Sequence, residues 1–219
     1  MDTVSAYFQL VQERPELFIH CENVPLILDE NQMRTFSEKT GKAMGLVYDN
    51  TPFYIVLADL CRGSEGLYSY ARVIYSNPES SGCIAVVRRA GQFGLLRIFR
   101  HAPRRWSLEF PRGYAEDCTL TPEENVRKEL SEELGVAAEE CSVTFLGNVR
   151  TDTGLSNGCA QIFLAEFKDT VCVHPADDEG IGGFVWVGEE ELRQMICDGE
   201  ITDGLTLAAF AQMMCQNAK

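Results

Sequence analysis

Thr121-Pro122-Glu123-Glu124-Asn125-Val126-Arg127-Lys128-Glu129-Leu130-Ser131-Glu132-Glu133-Leu134-Gly135 carries start and stop signals for one helix and three carboxylates inside it. Thr121 is a competent N-cap, and Pro122 suits a first helical turn because its missing N–H would be unpaired there anyway. Glu123 and Glu124 complement the positive end of the helix dipole, and Gly135 stands where a helix ends in a left-handed residue. The spacing therefore predicts a helix over 122–134. Val126, Leu130 and Leu134 recur at helical spacing as its buried stripe, while Glu129, Glu132 and Glu133 are neighbours on its surface. Like charges so placed repel by roughly a few tenths of a kcal/mol per pair. An oxygen-rich cluster of this kind suits a hard cation such as Mg²⁺ or Mn²⁺. The same spacing also describes a solvated acidic face partly neutralised by Arg127 and Lys128, and spacing alone leaves both readings open.

On either side of this helix the chain alternates irregularly between elements. Val4, Phe8, Leu10 and Val11 predict a short amphipathic helix before Pro15. Asp29-Glu30 opens a second helix, expected to reach about Met44 and close at Gly45. Phe53–Leu60 and Leu67–Tyr75 read as strands separated by the turn Arg62-Gly63-Ser64-Glu65-Gly66. Strands are further expected at Cys83–Val87, Gly94–Phe99, Ser142–Val149, Gln161–Phe167 and Phe184–Val187, with helices near Glu189–Ile196 and after Thr202. Without a strict βα rhythm, this order predicts an α/β (α+β) protein with a mixed sheet flanked by helices. Asn77-Pro78-Glu79-Ser80-Ser81-Gly82 is the natural break, dividing an N-terminal α+β extension, 1–80, from a main domain, 81–219.

Thirty-three acidic residues against nineteen Lys and Arg leave a formal charge of −14. Such a surface repels nucleic-acid backbones and anionic membranes, so neither is expected as a partner. No apolar stretch approaches the ~20 residues that a bilayer-spanning helix needs. The nine cysteines are scattered, odd in number and free of any C-x-x-C pair, so no zinc site is indicated. With no basic-then-apolar start after Met1, they are expected to be free thiols in a reducing cytoplasm.

Glu109-Phe110-Pro111-Arg112-Gly113, a loop, Pro122 and then Lys-Glu-Leu-Ser-Glu-Glu-Leu-Gly-Val over 128–136 resemble the Nudix box: a Gly, a loop Glu, then Arg-Glu-apolar-x-Glu-Glu-x-Gly-apolar. Lys128 stands where the family has Arg and cannot offer its bidentate fork. The loop after Gly113 is one residue longer than the pattern. Its Glu has no counterpart, since Glu116 and Asp117 lie too early. The resemblance implies a Nudix-type α/β/α sandwich and Mg²⁺-dependent hydrolysis of a diphosphate linkage, with Mn²⁺ as a substitute. It implies Glu129 and Glu133 as metal ligands, Glu132 as a third ligand or as an acid standing behind them, and the backbone carbonyl of Arg112 as a further donor.

Phe99–Gly113, Thr153-Gly154-Leu155-Ser156, Asp177-Asp178-Glu179-Gly180-Ile181 with Phe184–Val187, and Gly199–Thr206 resemble, in order, segments of the ADP-ribose and nucleoside-diphosphosugar pyrophosphatases. That branch implies Glu179 as the base that takes the water's proton, with Asp177 next in line. Arg100, Arg104 and Arg105 are either grips for substrate phosphates or solvated loop charges. His101 is expected to be a surface histidine, and Trp106 a core or hinge residue. The implied partner is a small nucleotide, and the branch commonly dimerises through N-terminal strands, so a homodimer is expected. Two alternatives remain: the same fold acting on a dinucleoside polyphosphate, coenzyme A or capped RNA, and a non-catalytic module that senses a nucleotide.

Overall fold

The computed structural model describes residues 2–115, 119–177 and 180–217. The chain divides into two compact units, residues 1–78 with 152–158, and residues 79–151 with 159–219.

The first unit begins with α1 (Thr3–Glu13) and α2 (Glu30–Thr40), followed by β1 (Gly45–Asn50), β2 (Tyr54–Gly63) and β3 (Gly66–Tyr75). The strands form an antiparallel sheet in the order β1-β2-β3. Asp2 caps α1 by accepting from the amides of Val4 and Ser5, and Arg34 of α2 pairs with the same carboxylate at 3.1 Å. The second helix ends at Thr40, earlier than its sequence suggests. Gly41, at φ +70°, supplies the left-handed terminator and donates to Ser37 O. The residues beyond it are thus free to enter β1, a strand that the sequence pattern did not announce. Tyr7, Met33, Leu57, Leu60 and Ile74 fill the core. Within it lies a buried carboxylate, Asp59, which accepts from Tyr7 Oη at 2.6 Å and from Arg72 Nη2 at 3.0 Å. Residues 152–158 belong to this unit by hydrogen bonding: Val73 N donates to Leu155 O at 2.8 Å, and Tyr75 N donates to Asn157 Oδ1 at 2.8 Å.

The second unit contains β4 (Gly82–Arg89), β5 (Gln92–Arg100), β6 (Arg105–Glu109), β7 (Arg112–Tyr114), α3 (Pro122–Leu134), β8 (Cys141–Val149), β9 (Ala160–Phe167), β10 (Ile181–Val187), α4 (Glu189–Cys197) and α5 (Gly204–Asn217). Its seven-stranded sheet runs β10-β5-β4-β9-β8, with β6 paired to β5 and β7 to β4. The sheet is mixed: β4 and β9 are parallel, and the other pairs are antiparallel. Alternation along β4 explains the layering. Cys83, Ala85 and Val87 pack with Val126, Leu130 and Leu134 of α3, whereas Ile84 and Val86 pack with Leu192 of α4 and Ala209, Phe210 and Met213 of α5. Helices cover both faces, the α/β/α sandwich expected, and β4 is apolar from Cys83 to Val87 because neither face of that stretch meets water. The short strands β6 and β7 were not foreseen; each exists through pairing with a longer strand. Eight cysteines are described, and all are free. Among the described residues no helix is long and apolar enough to cross a membrane.

Candidate metal and substrate site

Both ends of α3 are fixed by their own side chains and backbone. Glu124 N donates to Thr121 Oγ1 at 3.2 Å, and Thr121 N donates back to Glu124 Oε2 at 2.7 Å, a reciprocal capping box. Gly135, at φ +65°, closes the other end. Val126, Leu130 and Leu134 are almost fully buried, each contributing roughly 1.5–3 kcal/mol. With ends and buried stripe fixed, the helix cannot rotate, and its carboxylates are sorted.

Glu129 and Glu133 meet the turn that enters β7. The carboxylate of Glu129 lies against Gly113, where a Cβ would come within 1.8 Å of its Cδ. Glu133 is buried, and its Oε2 accepts the main-chain N–H of Arg112 at 3.2 Å. Glu132 is separated from this pair; it is exposed and bound to Lys128 Nζ at 3.0 Å, one turn back. Lys128, at the family's arginine position, thus neutralises the outer acid. Among the described residues no three carboxylates, thiols or imidazoles converge into a metal-holding group. What converges is a pair, Glu129 and Glu133, four apart on α3 at one backbone turn. Below them lies Cys83, which accepts from Asn125 Nδ2 at 3.2 Å. Burial, then the charge of Glu129, pushes its thiol up to about 12.

Beside Arg112 opens a cleft of about 310 Å³, lined by Arg100, His101, Arg105, Ser107, Arg112 and Thr202 among others. The buried carboxylate of Glu109 accepts from Arg100 Nη2 at 2.6 Å and from Arg112 Nε at 2.8 Å. Burial raises the Glu109 pKa, but the Arg100 hydrogen bond and the charges of both arginines outweigh it, and the carboxyl sits below the ordinary glutamate range. The guanidinium of Arg112 also reaches Asp203 Oδ1 at 3.0 Å. Of the three arginines expected to grip phosphate, Arg105 lines the cleft and donates to Thr202 Oγ1 at 3.1 Å, and among the described residues it meets no carboxylate. Arg100 lines the cleft but is committed to Glu109. Arg104 lies elsewhere, at φ +54°, stacked over Phe99 at 5.2 Å and bonded to the exposed His101 at 2.8 Å. Trp106 is at the surface, 45% exposed, with the Arg97 guanidinium 4.1 Å from its ring, and not in the core.

Glu179, with Asp178, lies outside the described residues, as do Glu116 and Asp117. Asp177 is described and exposed. The strand-to-strand segment before it is tied to the C-terminal end of α3: His174 N donates to Leu134 O at 2.9 Å, and Ala176 N donates to Glu133 O at 3.1 Å. Sequence reasoning missed Glu109, Thr202, Ser107 and Asp203 as cleft residues, and saw in Arg112 only its carbonyl. One signal was available: Asp203-Gly204-Leu205-Thr206 reads as a helix start, and Asp203 does accept from Thr206 N at 2.8 Å.

A solved structure described as an ADP compounds hydrolase superposes on this chain with a TM-score of 0.55 at 16% identity, covering 77% of this chain and 88% of that one, a likeness of fold. No curated protein matches the sequence. The family model of the NUDIX domain matches residues 76–205, more than half of the chain. It spans β4 to the first turn of α5, including the cleft and both glutamates of the turn. The chain belongs to the Nudix family of hydrolases.

Proposed function

We propose that this protein hydrolyses the diphosphate linkage of a nucleoside diphosphate joined to another group, ADP-ribose or a sugar nucleotide, and that it does so with Mg²⁺. The observation that carries this reading is the pairing of Glu129 and Glu133 at the Arg112–Gly113 turn, next to a cleft lined by guanidinium groups. The donor set suits the ion. Carboxylate oxygens, with a backbone carbonyl of the same turn, are what a hard divalent cation selects. The missing side chain of Gly113 leaves room for one of these carboxylates at the main chain.

Glu129 and Glu133 would hold Mg²⁺, with the Arg112 carbonyl as a further donor. When bound, Mg²⁺ neutralises the diphosphate oxygens and makes water a better nucleophile. Arg105, with Thr202, orients the phosphorylated group in the cleft, a role that planar guanidinium geometry suits. Glu179, the acid that the resemblance to the pyrophosphatase branch implies, takes the proton of the attacking water. Glu132 stays outside, paired with Lys128, and serves as an acid behind the two ligands. With ADP-ribose the products are AMP and ribose 5-phosphate. The similarity of fold to an ADP compounds hydrolase favours this substrate class.

The test is Glu133→Gln, assayed against ADP-ribose, sugar nucleotides, NADH and coenzyme A with product identification. Metal-dependent release of AMP by the wild type, and its loss in the folded variant, is the expected result. Turnover unchanged by the substitution refutes the assignment.

A further inference from the structure

The turn Phe110–Gly113 is pinned through Phe110 and Arg112 to Asp203 and Thr206 at the start of α5. Phe110 N donates to Thr206 Oγ1 at 3.1 Å, and Thr206 Oγ1 donates to Asp203 Oδ2 at 2.9 Å. Asp203 Oδ1 accepts in turn from Arg112 Nη2 at 3.0 Å, while Arg112 Nε donates to Glu109 Oε2 at 2.8 Å. Thr206 and Glu109 are buried almost completely, and the Asp203 side chain is 13% exposed. One residue therefore points two ways: the side chain of Arg112 is held by two carboxylates, and its main-chain N–H holds Glu133.

We propose that the Arg112 side chain is a positioning residue, which sets the turn so that its N–H orients Glu133 and Gly113 receives Glu129, and thereby tunes the affinity of this carboxylate pair for a divalent cation. The inference rests on the metal reading above. An ordinary surface ion pair would not serve, since it contributes little and moves freely. Here both partners of the guanidinium are largely buried, and Glu109 is held a second time by Arg100. Groups that orient the ligands of a metal typically matter by 10–100-fold in affinity.

The experiment is calorimetric titration of Mg²⁺ and Mn²⁺ into Arg112→Ala and Asp203→Asn, with circular dichroism to establish folding and steady-state kinetics alongside. Arg112→Ala should weaken metal binding on the order of 10–100-fold, and Asp203→Asn should weaken it less, in the same direction. Wild-type metal affinity in folded Arg112→Ala overturns the proposal. Where that variant does not fold, wild-type affinity in Asp203→Asn does so. Glu133→Gln separates the two levels. If it binds metal as the wild type does, the metal reading itself has failed; if it loses metal while Arg112→Ala keeps it, only the positioning role has.

Discussion

The carboxylate of Glu129 occupies the space that a side chain at Gly113 would need, a Cβ there falling 1.9 Å from Oε2 and 2.1 Å from Oε1. Gly113 is not in the left-handed region, so alanine is compatible with its backbone. The atoms in conflict form the far end of a flexible side chain, and the fold can yield by moving Glu129. Gly113→Ala should therefore leave the melting temperature nearly unchanged while lowering kcat/KM on the order of 100-fold, the cost of a misplacement of about 1 Å. Scanning calorimetry and turnover on the same sample check this; a stable variant with full activity would remove Glu129 from the site.

Glu109 gives a stability prediction with a pH signature. Glu109→Gln takes from Arg100 the carboxylate it pairs with and leaves Arg112 with Asp203 alone, and breaking a buried pair costs about 3–5 kcal/mol. The lower end applies, because both arginines remain partly exposed. The folded pKa of Glu109 is depressed, so its contribution is complete above the unfolded value of about 4.3 and is lost as pH falls through the lower folded one. Urea unfolding of wild type and variant should thus differ fully at pH 7 and converge in acid. A gap that stays constant down to pH 2 would contradict the ionised pair.

How much of this was legible in the sequence depends on where the information lies. Helix α3 could be read to the residue because Thr121, Pro122 and Gly135 encode its ends locally. The second helix was overextended because two glycines, Gly41 and Gly45, both adopt positive φ, and only the first terminates the helix. Strands β6 and β7 owe their existence to partners distant in sequence. So does the side that each arginine faces: Arg104 and Arg105 are adjacent, yet one stacks on Phe99 and the other lines the cleft. The glutamates were legible as a cluster but not as a division, since it is Gly113 and the Arg112 amide that single out Glu129 and Glu133.

Cys83 offers a chemical readout of the same site. Its thiol is buried and pushed up to about 12, so the reactive thiolate is scarce at pH 8. Exposed Cys21, Cys172, Cys197 and Cys215 should alkylate with iodoacetamide in the native protein, and Cys83 should react only after unfolding. Peptide mass spectrometry after timed labelling decides it. Labelling of Cys83 at the rate of the exposed thiols would mean that the floor beneath Glu129 is open to solvent.

The first unit has its own buried charge, and it can be probed without touching the carboxylates of α3. Tyr7 donates to Asp59 at 2.6 Å, and burial, followed by the charge of Asp59, pushes the phenol well above its ordinary range, so it remains a donor at every working pH. Tyr7→Phe removes one hydrogen bond to an ionised partner, worth about 1.5–3 kcal/mol, while Arg72 still pairs with Asp59. The ring contacts with Phe8 and Phe18 are retained by phenylalanine, so no cavity adds to the loss. Denaturant unfolding should show the first unit destabilised by that amount with kcat unaltered. A variant as stable as the wild type would mean that water replaces the phenol at Asp59, and that the carboxylate is less secluded than its burial implies.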